Sequence, residues 1–365
     1  MGQVTSQRLL LTAGPAPISP EVQEILGRPM VYHRAKEFVE LFQRLNQALK
    51  YLFQTRYDVV TLTASGTGAM EAVISNLFSP GDAVIVVENG KFSERWTQIA
   101  TTFGLMVTSL KLPWGKSVEL DELQALVSSV PQAKAIFLTH CETSTGAKAE
   151  LAAIVPALRQ QTEALIIVDA ISSAGVMPLK MDLWGIDVTI TASQKGLGLP
   201  PGLSFVALNQ RAWRFSELSD LPRYYFDFSR ARQALRLGKG SSFTPAIPFI
   251  IAAESVLTQI QAQGLEARWQ KSGMLAQNFR DRMIATGCTI FPECPADGLT
   301  VIKPPNGIFA NEIITKLKDR YQIVVSAGQG KLADKVIRIG HFVNVTEAHL
   351  DKFLNALQDI LNNKN

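Results

Sequence analysis

Lys195 lies in Ser193-Gln194-Lys195-Gly196, directly after the apolar run 186–191. Asp169 closes another apolar run, Leu165-Ile166-Ile167-Val168-Asp169. A lysine just past one buried strand and an acid ending another suit pyridoxal phosphate chemistry. The lysine would hold the cofactor as a Schiff base, and the aspartate would keep a proton on its ring nitrogen. Ligands of open α/β sheets bind outside the strand carboxyl ends, so parallel strands bring both residues to one edge. An isolated lysine after a strand is otherwise an ordinary surface residue, and the flanking motifs separate the two readings.

The segment Thr63-Ala64-Ser65-Gly66-Thr67-Gly68-Ala69-Met70-Glu71-Ala72 follows a strand-like run and opens a helix-like one. Glycines let backbone approach an anion, and the free amides of a helix start point at it. The pattern is neither GxxxxGK[ST] nor GxGxxG, which favours one phosphate over a diphosphate. Phe92, after the run 83–87, is placed to stack on a flat ring or to pack in the core. Thr143, in Thr139-His140-Cys141-Glu142-Thr143-Ser144-Thr145-Gly146, carries a hydroxyl for a phenolic oxygen or merely forms a turn. Arg338 sits inside the apolar segment Lys335-Val336-Ile337-Arg338-Ile339-Gly340. A buried arginine needs a partner, either a structural carboxylate or that of a substrate.

The elements that must position these residues alternate. Strand-like runs are 59–63, 83–87, 106–110, 135–139, 165–169, 186–191 and 203–208, with helix-like runs such as 69–78, 93–102 and 150–160 between them. Helical spacing also runs from Val39 to Phe53. The alternation predicts an α/β fold with a mainly parallel sheet between helices. After residue 246 the pattern changes to helices near 247–263 and 266–286 around Gly264. Short strands at 299–302, 323–325 and 336–339 then mix with helices at 308–319 and 346–361. The expected division is an irregular arm at 1–20, a large domain at 21–262 and a small α+β domain at 263–365.

Composition narrows the function. The chain has 365 residues, 47% hydrophobic and 19% charged, with net charge +4. No Lys/Arg block stands out, so nucleic acid is not expected as a partner. No apolar stretch reaches the about 18 residues a membrane span needs, so no membrane role is expected. Three cysteines, Cys141, Cys288 and Cys294, form no CxxC pair and no metal-ligand pattern, which suits a reducing, cytoplasmic setting. The start reads M-G-x-x-x-S, a myristoylation consensus, although an ordinary chain start is the expected reading.

Five motifs in order, SGTGAMEA, THCETSTG, VDAISSAG, TASQKGL and VIRIG, carry a family resemblance across essentially the whole chain. The chain resembles class V aminotransferases of fold type I, within the alanine–glyoxylate and serine–pyruvate group. The resemblance implies that Lys195 is the Schiff-base lysine and Asp169 the pyridine-nitrogen partner. Thr67, Gly68 and Ala69 would hold phosphate with Gln194 close by, and Thr143 would approach the phenolic oxygen. Arg338 would take the substrate α-carboxylate, with Ala13 and Gly14 near it. It also implies a homodimer with sites at the interface, Thr244 reaching the partner's phosphate. Phe92 stands where the nearest group often has tryptophan, and Ser241 near where many members have a phosphate-binding tyrosine. The tract His33-Arg34-Ala35-Lys36-Glu37-Phe38 is similar to a microbial HRxxEF branch. Some members of that branch carry the label of aspartate aminotransferases, and cyanobacterial ones that of soluble hydrogenase small subunits.

Three functions compete. Transamination of alanine, serine or aspartate with a 2-oxo acid such as glyoxylate or pyruvate uses every motif. Arg34 would read a second carboxylate such as that of aspartate, the alternative being a charged surface turn. A desulfurase needs a nucleophilic thiol, and the loop Ser326-Ala327-Gly328-Gln329-Gly330-Lys331 has none. A redox metal subunit needs clustered thiolates, which three scattered cysteines do not supply.

Overall fold

The computed structural model describes residues 8–362, so the myristoylation consensus at the start lies outside the described residues. The strands in chain order are β1 Leu9–Leu11, β2 Val59–Leu62, β3 Ala83–Glu88, β4 Met106–Lys111, β5 Ala135–Thr139, β6 Cys141–Glu142 and β7 Ala147–Lys148. They continue as β8 Leu165–Asp169, β9 Val188–Ala192, β10 Ser204–Leu208, β11 Thr289–Ile290, β12 Leu299–Lys303, β13 Ile323–Ala327 and β14 Ile337–Gly340.

Seven strands form the main sheet in the order β2-β10-β9-β8-β5-β3-β4. Strands β4, β3, β5, β8 and β9 run parallel, and β10 runs antiparallel to both β9 and β2. Alternate residues leave opposite faces of a strand, and both faces here are covered. Ile85 and Val87 join one core with Leu45, Leu49 and Leu52 of helix Lys36–Phe53. Val84 and Val86 join the other with Met70, Val73 and Trp96. The near-continuous apolar strands of the sequence follow from this double burial.

Helix Lys36–Phe53 buries Phe38, Phe42, Leu45, Leu49 and Leu52 on one stripe, with Glu37 in its first turn and Lys50 in its last. These charges complement the helix dipole. The helices Ile247–Gln263 and Leu265–Ala285 meet at Gly264. Phe279 and Met283 of the second pack with Ile337, Ile339, Leu350 and Phe353 against the smaller sheet.

That sheet has the order β1-β13-β14-β12-β11. Residues 8–20 are therefore not irregular throughout: Leu9–Leu11 pairs in parallel with Ile323–Val325. Three residues are too short for a visible strand pattern, and the partner that stabilises them lies some three hundred residues on. No described helix is long and apolar enough to cross a membrane.

Candidate active site

Register levels the strand ends at one edge. Asp169 pairs with Thr139 on one side and Ile190 on the other. The loops leaving β5, β8 and β9 thus emerge together, as do those leaving β2 and β3. One cavity at this edge is lined by Thr67, Phe92, Thr143, Asp169, Gln194 and Lys195, all singled out from sequence. Ser65, Gly66, Arg95, Cys141, Ile171 and Ser172 complete the lining.

Asp169 accepts from the Ile171 amide at 2.8 Å through one oxygen. Burial pushes its carboxyl up to about 7, while that amide bond pulls it down. Lys195 donates to the Ala13 carbonyl and lies 5.2 Å from the Phe342 ring centre. Burial brings its ammonium down to about 8, against the pull of nearby acids. Gly14 explains itself here: its φ is +121°, and a Cβ on it would stand 2.4 Å from the lysine Nζ. Only glycine takes that conformation and leaves that space.

The helix Gly66–Leu77 begins at the cavity with Ser65 as its N-cap. The Gly68 amide donates to Ser65 Oγ at 3.3 Å and the Ala69 amide to the Ser65 carbonyl at 3.2 Å. The amides of Gly66 and Thr67 come before any intrahelical acceptor. A Cβ on Gly66 would stand 2.4 Å from Ile171 Cδ1. Gln194 Oε1 is buried with no partner among the described residues. An anion cradle at one end, a buried acid and a buried lysine fit a phosphorylated pyridine aldehyde.

Arg338 is 7% exposed. It donates to the carbonyls of Ala327 at 2.9 Å and Thr143 at 3.2 Å. No described carboxylate forms a salt bridge with it, so the structural ion pair considered from sequence is not there. Burial brings its guanidinium down to about 10, with Glu142 pulling the other way. The Thr143 hydroxyl shares a 2.5 Å hydrogen bond with Ser172.

A residue that sequence reasoning passed over organises one wall. Glu142 is fully buried and accepts from the amides of Phe92, Ser93 and Ser144 and from Ser144 Oγ. It fixes the start of helix Ser93–Thr102, and with it Phe92 and Arg95. Nothing local in THCETSTG separates this carboxylate from a turn residue. Two candidates lie elsewhere in the chain. Thr244 is exposed in a second cavity with Ser241, Phe243 and Arg232. Exposed Arg34 donates to the carbonyls of Lys239 at 2.7 Å and Ser241 at 2.8 Å.

The family description Aminotransferase class-V matches residues 18–353. The chain belongs to the class V aminotransferases. It is 36% identical to a protein of Synechococcus sp. named soluble hydrogenase, small subunit, over 97% of this chain and 92% of that one. It is 34% identical to the L-aspartate–glyoxylate aminotransferase of Paracoccus denitrificans, over 94% of this chain and 89% of that one. The solved alanine–glyoxylate aminotransferase of Nostoc sp. superposes with a TM-score of 0.94 at 28% identity, covering 99% of this chain and 97% of that one. The aminotransferase thus has the fold of type I pyridoxal phosphate enzymes, and its cofactor is pyridoxal phosphate.

Proposed function

We propose that this aminotransferase moves an amino group between alanine, serine or aspartate and a 2-oxo acid such as glyoxylate or pyruvate. The observation that carries the reading is Arg338: a buried guanidinium beside the cavity, bonded to two backbone carbonyls and to no carboxylate. A substrate α-carboxylate would complete it in two-point geometry. Ala13 and Gly14 would form the wall beside that carboxylate.

Bound pyridoxal phosphate supplies a conjugated ring that takes up the electron pair released at the substrate Cα. Lys195 would tether the cofactor and, once released by the incoming amine, would carry a proton to and from the substrate Cα. Its lowered pKa, about 8, favours the neutral amine this step needs. Asp169 holds the proton on the ring nitrogen. Thr143 would bond the phenolic oxygen, Phe92 would stack on the ring, and Thr67, Gly68, Ala69 and Gln194 would hold the phosphate.

The working unit in this reading is a cytoplasmic homodimer. Thr244, which lines a second cavity and not the one that holds Lys195, would reach the partner's phosphate, and Arg34 would read a donor's second carboxylate across the interface. Three free cysteines suit a reducing compartment. They do not suit a desulfurase: burial pushes the cavity thiol, Cys141, up and away from thiolate. Nor do they cluster as an iron–sulfur or nickel–iron centre requires, since Cys288 is buried in the small-sheet core and Cys294 is partly exposed.

The test is a titration of holoenzyme with single amino acids, following the cofactor's visible absorption. Alanine, serine or aspartate should convert the spectrum and release the matching 2-oxo acid. Release of alanine from cysteine, with its sulfur passing to an added thiol and no conversion by the other three, would sink the proposal.

A further inference from the structure

Arg95 has no assigned part in the reading above, yet it lines the same cavity as Thr67, Asp169 and Lys195. Its guanidinium donates to Thr67 Oγ1 at 3.1 Å and lies 4.8 Å from the Phe92 ring centre. Among the described residues it forms no salt bridge. It is the third residue of helix Ser93–Thr102, whose start Glu142 holds through the amides of Phe92 and Ser93. The arginine therefore stands on a fixed base at the cavity wall, held by no salt bridge among the described residues.

The direction of the Thr67 bond matters. Guanidinium has donors only, so the threonine oxygen must accept. Its own hydrogen is then free to donate elsewhere, and the hydroxyl presents a donor to whatever occupies the helix start. A desolvated phosphate also needs positive charge near it. Of the two cations lining the cavity, Lys195 is committed at the reacting end. The charge of Arg95 is also felt at Asp169, where it opposes the larger upward push of burial.

We propose that Arg95 is a positioning residue for the cofactor's phosphate: it sets the Thr67 hydroxyl as a donor and supplies cationic charge at that end of the cavity. The proposal rests on the pyridoxal phosphate reading of this cavity. Its stacking on Phe92 ties the same arginine to the ring platform, so one side chain registers phosphate and ring against each other.

Binding to the apoprotein tests this without turnover. Apoprotein is titrated with pyridoxal phosphate and, separately, with pyridoxal, which has the ring but no phosphate. Arg95→Met and Thr67→Val should each weaken pyridoxal phosphate about tenfold or more, the scale of one charge-assisted hydrogen bond. Pyridoxal affinity should hold, which also shows that the variants fold. The double variant should lose less than the two single losses added together, because the arginine acts in part through the threonine. Unchanged pyridoxal phosphate affinity in Arg95→Met, equal losses for both ligands, or strict additivity would overturn the role of Arg95. A wild-type apoprotein that binds no pyridoxal phosphate would instead overturn the reading of the cavity.

Discussion

The Lys195 ammonium donates to the carbonyl of Ala13, a residue 182 positions earlier in the chain. The amide of the same Ala13 donates to Ser326 Oγ at 3.0 Å. One residue of the N-terminal segment therefore touches the lysine at the main-sheet edge and the small sheet that carries Arg338.

Lys195→Ala should fold and lose turnover by about 10²–10⁴-fold, the usual cost of a missing general base. Borohydride reduction and peptide mapping of wild type should place the cofactor on the Lys195 peptide. A reduced cofactor adduct on Lys195→Ala protein would remove this lysine from its role.

Asp169 gives a pH dependence with a defined sign. Its folded pKa, about 7, lies above the ordinary 3.8, so the folded apoprotein holds a proton the unfolded chain releases. That contribution is complete below the ordinary value and is lost as pH rises through about 7. Apoprotein stability should fall over this window by at most about 1.4 kcal/mol per pH unit from this group. Asp169→Asn should flatten the slope and slow the proton transfer at Cα. Denaturant melts at pH 5 and pH 8 compare the two proteins, and identical slopes would disprove the assignment.

Arg338→Ala should raise KM for every α-amino acid donor by about tenfold or more while leaving the cofactor spectrum in place. Arg338→Lys should recover only part, since a lysine cannot make the two-point contact. A donor whose KM stays constant would mark Arg338 as structural, a clamp between Ala327 and Thr143.

Strand ends made Lys195 and Asp169 legible, because an apolar run with a charged terminus is a local pattern. The glycine-rich turn was legible for the same reason. Glu142, Arg95 and Ser172 were not: each matters only because β3, β5 and β8 are neighbours, and strand order is not written in any one segment. Arg338 was found as a buried arginine, but whether a carboxylate met it required the packed structure. Leu9–Leu11 was hidden by its length, as its strand exists only through β13.

Arg34 divides two outcomes. One terminal nitrogen of its guanidinium donates to the backbone carbonyls of both Lys239 and Ser241, near Thr244. If it reads a second carboxylate across a dimer, Arg34→Ala should lower kcat/KM for aspartate far more than for alanine. A constant ratio of the two, with weakened pyridoxal phosphate binding, would leave it as a brace for the Thr244 loop alone.

The parallel pairing of Leu9–Leu11 with Ile323–Val325 has a consequence for synthesis. Leu9–Leu11 cannot pair until the roughly three hundred residues between it and Ile323 have followed it. The main sheet has all its strands by Leu208, yet its lysine still lacks the small-sheet anchor that holds Ala13 in place. Contacts of such long sequence separation form late because closing the loop costs entropy first. Most of the residues proposed to hold the cofactor thus precede the strand that completes the proposed substrate wall, and a nascent chain halted before residue 323 would lack that wall.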